Sequence, residues 1–391
     1  MRRLLIQFGL FLLVVSLSAQ TRRVVPAAQW TFDHAPETIS FRKQQAVFPI
    51  QWLAYKDGID WYNPDGSLLQ HQDRTAGDSI MVSPLGKFMG LMLVASGDEE
   101  NSPRQVVSLR IFGEGGEPRF THTQALGALE PLPAYQISDA GRLLAADRAA
   151  GICQEIDVQG VLWSESLAKY FPPTVKLLDT QVKRLGGLGK RLIAASLHQR
   201  GREDSLFTWL RAIDVGDSSR DGGLAGEMVH WTTIPASSYS FLELANGEQR
   251  MVYLLDELLA VEAYPWGTWT CKPVNPGTAF MITDSELLVI NLGDGMVTAR
   301  IRPYDLYQVS DALFIPGPDI FLVLRYEPFF RDGQLAYRNF ELNGMEKNGR
   351  IIYRGSFGAW SPTLPHLYAL SGQRFAIHLH NAVLLYEIVD G

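Results

Sequence analysis

Cysteine is almost absent from this sequence: Cys153 and Cys271 are its only two. A fold stapled by several disulfides is excluded. The pair is expected to be two separate buried thiols, because they fall in different repeat units and a bridge needs Cα atoms within about 7 Å. Long apolar runs are also scarce. The one that opens the chain, Leu4 to Leu17, is shorter than the roughly 20 residues a spanning helix needs and is interrupted by Gln7 and Ser16. Charge of one sign is not in excess either. With 35 Lys and Arg against 42 Asp and Glu, the formal charge is −7, and this mild acidity argues against a nucleic-acid polyanion as the main partner.

The motifs of common catalytic sites are missing too. There is no G-x-S-x-G, so a serine-hydrolase elbow has nowhere to sit. Ser219-x-Asp221-x-Gly223 begins like the Asp-box turn of sialidase-like folds, but Ala225 and Gly226 stand where Thr and an aromatic residue belong, and the run occurs once. It reads as a polar hairpin loop. "GGLGKR" has neither the spacing nor the Ser/Thr of a P-loop, and "GDGM" and "GDEEN" are too short to be calcium loops. His378 and His380 in "IHLHN" would need a further ligand from another part of the chain to hold zinc, and they read as strand-edge histidines. The aromatic run Tyr264 to Thr270 reads as packing. No cofactor, metal or catalytic residue is assigned, and the protein is expected not to be an enzyme.

What the sequence does contain begins with a leader. Residues 1–20 run basic (Arg2, Arg3), apolar, then small (Ser16, Ser18, Ala19), the order of a cleavable secretory signal. Cleavage is expected near Ala19 or Gln20. The mature chain is then secreted or periplasmic, with no stable membrane insertion.

Beyond the leader the sequence repeats itself. "MVSPLGKFMG" (81–90) and "QISDAGRLLAAD" (136–147) share an order of β-branched residue, Ser, two spacers, Gly, base and apolar run. Each opens a series of strand, Gly turn, strand, loop, strand, Gly turn, strand. Val107, Leu109 and Ile111 alternate with Ser108 and Arg110, the period of two that a half-buried strand requires. Similar hairpins recur at 184–196, 242–255, 280–290, 313–326 and 367–379, and 51–70 looks like the last three strands of such a unit. Units of four strands bury both faces only when stacked.

Ser83-Pro84-Leu85-Gly86-Lys87 and Ser138-Asp139-Ala140-Gly141-Arg142 resemble the Ser-Pro-Asp-Gly-Lys turn of TolB-like and WD-repeat-like β-propellers, and Asn63-Pro64-Asp65-Gly66 resembles the second Gly turn of their blades. No Trp-Asp pair closes the units. The resemblance implies an all-β propeller of four-stranded antiparallel blades and no particular activity. Seven blades are favoured, with eight as the alternative, because "FMITDSELLVI" (280–290) is short enough to belong to a neighbour. Residues 21–45 are read as an extended segment and closing strand, in which "TISFRKQQ" (38–45) or its neighbours pair with the C-terminal strands, and 46–391 as a single propeller domain.

In such blades the loops after strands two and four share one rim, and the long polar loops of this sequence fall there, opposite the Gly turns. They include 95–105, 198–205, 326–334, 122–134 and 357–365. Loops carry function while scaffolds hold them. The expected binding rim is Asp98, Glu99, Glu100, Arg104, Arg202, Glu203, Asp204, Phe329, Phe330 and Arg331, with the adjacent aromatics beside Arg331 as its anchor. The function this supports is an exported, non-catalytic, monomeric scaffold that binds a protein, peptide or glycan. A hydrolase or lyase acting on an extracytoplasmic polymer at the channel mouth is the alternative.

Overall fold

The computed structural model describes residues 23–42, 46–75, 77–97, 104–172, 174–184, 191–199, 202–213, 223–234, 239–256, 261–265, 270–275, 278–282, 287–291, 296–301, 308–315, 317–346 and 351–389. They form strands and turns, with one short 3-10 turn at Leu167–Lys169. Among them no helix is long and apolar enough to cross a membrane.

Strand β1 is Arg23–Thr31. The next four, β2 (Thr38–Phe41), β3 (Ile50–Ala54), β4 (Gly58–Tyr62) and β5 (Leu68–Asp73), form one sheet in sequence order. The second holds β6 (Ser79–Val82), β7 (Met89–Gly97), β8 (Arg104–Phe112) and β9 (Pro118–Gly127). The third holds β10 (Ala134–Ile137), β11 (Leu143–Asp147), β12 (Ile152–Asp157) and β13 (Gly160–Ser166), and the fourth β14 (Val175–Arg184), β15 (Arg191–Gln199), β16 (Arg202–Ala212) and β17 (Leu224–Ala225). The fifth comprises β18 (Glu227–Thr233), β19 (Ser240–Asn246), β20 (Gln249–Leu255) and β21 (Val261–Pro265), and the sixth β22 (Thr270–Asn275), β23 (Thr278–Ile282), β24 (Leu287–Asn291) and β25 (Val297–Ile301). The seventh has β26 (Gln308–Ile315), β27 (Ile320–Arg331), β28 (Gln334–Met345) and β29 (Ile351–Ser361). In the last, β30 (His366–Ala369), β31 (Arg374–Leu379) and β32 (Ala382–Val389) are joined by β1, in the order β1-β32-β31-β30.

This succession of four-stranded antiparallel sheets is a β-propeller architecture. The sheets belong to two compact units. Pro36–Phe41 with Ala46–Arg300 carries the first six, and the chain through Ala35 with Ile301–Gly391 carries the last two.

The structure gives the sheet count and the closing strand. The described residues form eight sheets rather than the favoured seven, since "FMITDSELLVI" supplies β23 and β24 of a sheet of its own. Its first strand, β22, carries Pro273 at a sheet edge, where a missing N–H is tolerated. As expected, a strand of the 21–45 segment joins the C-terminal sheet: it is β1, a neighbour of "TISF", while "TISF" itself is β2 and opens the first sheet.

The period of two is borne out in β8, where Val107, Leu109 and Ile111 are fully buried and Ser108 and Arg110 between them are half-exposed. The repeated Ser–Gly stretches are type I turns. Gly86 and Gly141 have φ of 75° and 72° and donate to the carbonyls of Ser83 and Ser138, at 2.8 and 2.9 Å. Ser83 Oγ and Ser138 Oγ accept the N–H groups of Phe88 and Arg142 that lead into the next strand. Apolar faces of successive sheets then stack: Leu144 and Ala146 of β11 pack with Val182 of β14 and with Ile193 and Ala195 of β15. Buried and half-buried polar side chains also bond across neighbouring sheets. Asp139 accepts Leu85 N–H at 2.7 Å, Ser196 Oγ accepts Met228 N–H at 2.8 Å, and Asp311 accepts Leu367 N–H at 2.7 Å.

Candidate functional site

The stretch 326–334, expected as a long polar loop, is two strands and a tight turn. β27 runs on to Arg331, and β28 begins at Gln334. The turn is Asp332–Gly333, with φ of 52° and 78°, the two positive values that a type I′ hairpin requires. An Asp-Gly pair between extended segments is the sequence signal for this turn, and the polar residues around it hid the strand. β26 reaches only as far as the Gln308–Tyr326 pair, so β27, β28 and β29 continue past it as a three-stranded arm.

Alternation along the arm sorts its side chains onto two faces. On one lie Phe330 and Leu335, which are direct cross-strand partners. They are 77% and 49% exposed. Tyr337 follows on the same face and packs edge-on against Tyr326 at 5.2 Å between centroids. On the other face, Arg338 lies 5.0 Å from the ring centroid of Phe329, and Arg331 lies 3.9 Å from that of Trp360. Ala336, buried between them on β28, is small enough to let Arg331 of β27 reach across to β29.

The charges of this second face are largely paired. Arg338 bonds Glu327 at 2.8 Å, and Asn339 bonds the other Glu327 oxygen at 2.5 Å. Hydrogen bonds from Arg338 and then Asn339 hold the Glu327 carboxyl below its ordinary range. Arg331 Nε is 3.7 Å from Asp332. One face of the arm is therefore apolar and uncharged, and the other is a closed layer of arginines on aromatic rings.

The structure divides the residues expected to form the rim. Phe329, Phe330 and Arg331 share the arm, but Phe329 and Arg331 face away from Phe330. Arg104 is exposed at the start of β8, paired with Gly97. Arg202, Glu203 and Asp204 lie in β16, not in a loop. Asp98, Glu99 and Glu100 lie outside the described residues, as do most of the Asp-box-like run and residues 266–269 of the aromatic run. Leu335, Trp360 and Arg338 are the arm residues that sequence reasoning missed. Their contribution comes from cross-strand register, which no local pattern reveals.

His378 ends in a different arrangement from the expected strand pair. β31 stops at Leu379, His380 turns with φ of 51°, and His378 Nε2 bonds the His380 carbonyl at 2.8 Å. Among the described residues no three His, Cys, Asp or Glu are placed to share a metal ion.

No protein-family model and no curated protein matches the chain. Among solved structures it is similar to BamB from Moraxella catarrhalis, with 10% identity and a TM-score of 0.45 over 93% of this chain and 98% of that one. It is similar to the WD40 domain of SCAP from fission yeast, with 10% identity and a TM-score of 0.46 over 94% and 98%. The propeller of Dos1 is similar at 9% identity and a TM-score of 0.44 over 80% and 93%. At these values the likeness assigns no activity.

Proposed function

We propose that the protein is an exported, non-catalytic binding scaffold that holds a protein partner on the apolar face of the β27–β28–β29 arm. The observation that carries this reading is the exposed cross-strand pair Phe330 and Leu335 at the end of a hairpin. Isolated exposed apolar residues are ordinary, but an aromatic and an aliphatic side chain fixed side by side on strands are preorganised to enter a pocket without losing much conformational freedom. The neutral face supports a protein surface over a glycan, which needs converging polar groups.

Export rests on the leader. N-terminal sequencing of material released by an expressing cell should begin near residue 20, and an intact Met1 on membrane-bound protein would exclude it. For binding, a photo-crosslinking side chain placed at Leu335 in the exporting cell should trap one partner. The same side chain at Arg331, on the opposite face, should trap much less. With that partner purified, Phe330→Ala and Leu335→Ala should each weaken binding by about 2 kcal/mol, the loss typical of an interface anchor. Unchanged affinity in both variants would show that the arm is not the docking surface.

A further inference from the structure

On the first sheet, the imidazole of His71 lies between two carboxylates. Its Nδ1 is 2.6 Å from Asp60 Oδ1, and its Nε2 is 3.3 Å from Asp73 Oδ1. A carboxylate accepts and does not donate, so each ring nitrogen must carry a proton for both the hydrogen bond to Asp60 and the ion-pair contact with Asp73 to hold. A neutral imidazole has one N–H and can serve only one of them. The ring also has a built seat: a Cβ on Gly58 would stand 2.5 Å from His71 Cε1, so only glycine lets the imidazole lie across β4.

We propose that His71 is a proton-controlled fastener of the edge strand β5. When doubly protonated it ties β5 to Asp60 of β4 and, through Asp73, pins the end of β5 over Gly58. Losing a proton leaves one N–H, which stays on the shorter bond to Asp60, and the bond to Asp73 is released. Asp60 and Asp73 are the titratable groups facing the ring, from β4 and β5 respectively. Tyr62 reaches the other Asp60 oxygen at 3.5 Å, and Gly58 brings no charge. β5 is the edge of its sheet, so no further strand of that sheet covers His71. Opening is confined to β5, because the next residue, Arg74, is anchored separately to Glu37 and to the carbonyls of Tyr55 and Asp78.

The bonds to Asp60 and Asp73 raise the affinity of His71 for its proton above the ordinary value of 6.5. A group with a raised folded-state pKa stabilises fully below its unfolded value and loses that contribution as pH climbs through the folded one. The fastener is therefore closed in mild acid and opens above 6.5.

The test uses the full chain with histidine labelled in its ring nitrogens. His71 should show two protonated nitrogens near about pH 5 and titrate above 6.5, and the amide protection of Gln70 to Gln72, normalised to that of β9, should fall by about two- to fivefold across that titration, the range an exposed ion pair contributes. His71→Gln and Asp73→Asn should each abolish the step. In Asp73→Asn the ring should also titrate closer to its ordinary value. A His71 that titrates at or below 6.5, a normalised protection that does not change with pH, or a step that survives in His71→Gln would overturn the proposal.

Discussion

Arg191 lies over the indole of Trp163, 4.2 Å from its centroid, and at the same time reaches the buried carboxylate of Glu155 at 3.5 Å. Two more guanidinium groups meet that carboxylate, Arg184 at 2.5 Å and Arg142 at 3.3 Å. Glu155 belongs to β12 of the third sheet, and Arg184 and Arg191 to β14 and β15 of the fourth. One carboxylate thus clasps two neighbouring blades.

This clasp predicts an asymmetry. Glu155→Gln keeps the shape but leaves buried guanidinium groups without their counter-charge, and should cost about 3–5 kcal/mol. Arg142 is 37% exposed, and the carboxylate keeps its other partners without it, so Arg142→Ala should cost about 1 kcal/mol or less. Urea unfolding midpoints compare the two directly. Equal losses would mean that the clasp is no stronger than a surface pair.

Hydrogen bonds between sheets make a second set of residues critical. Ser196 is fully buried and bonds both Thr208 Oγ1, at 3.2 Å, and the Met228 N–H of the next sheet. Ser196→Ala should cost about 1–3 kcal/mol, because the Met228 donor is left without its acceptor inside the protein. Substituting Ser164, on the edge strand β13, should change little. The comparison is again made by denaturant unfolding.

The sequence made some of these features readable and hid others. Local patterns were legible: the alternation of Val107, Leu109 and Ile111, and the Ser–Gly turns at Gly86 and Gly141, each depend on a few consecutive residues. The clasp was not, because Glu155 and Arg191 are far apart in the chain and meet only when blades stack. The arm was half legible. Phe329, Phe330 and Arg331 drew attention as a cluster, but a long polar context read as a loop concealed the Asp332–Gly333 hairpin. Which side chains share a face follows from the register of β28 and β29, and a one-residue slip would have reversed it.

The two glycine turns should differ in their tolerance of a side chain. At Gly86, whose φ is 75°, a Cβ would meet only Ser40 Oγ at 3.5 Å. At Gly141 it would stand 2.7 Å from the ring of Phe88, which has to move. Both pay backbone strain of about 1 kcal/mol as alanine, and Gly141→Ala should lose about 1–3 kcal/mol more through overpacking. Thermal unfolding of the two variants tests the order.

Cys153 should behave as an inert core residue. It is fully buried, and burial followed by the nearby Glu165 carboxylate pushes its thiol up to about 12. The thiolate is the reactive form, so in a Cys271→Ser background a thiol reagent at about pH 8 should label the native protein far more slowly than the unfolded chain. Rapid labelling of native protein would show that the third sheet opens readily.

The arm should separate binding from stability by face. Arg331 and Trp360 sit on different strands and touch across Ala336, so their contact can form only when all three strands are in register. A double-mutant cycle of Arg331→Ala and Trp360→Ala should give a coupling of about 0.5–1 kcal/mol in stability, the value of an exposed cation–π pair. Ala336→Leu should lower stability by a further amount, about 1–3 kcal/mol, by filling the space through which Arg331 passes. Phe330 and Leu335 project from the opposite side, and because they are exposed, Phe330→Ala and Leu335→Ala should leave stability within about 0.5 kcal/mol of the parent. If the arm is the docking surface, the same two variants lose the partner while Arg331→Ala keeps it. Loss of binding in Arg331→Ala with retention in Phe330→Ala would move the contact to the arginine-covered face.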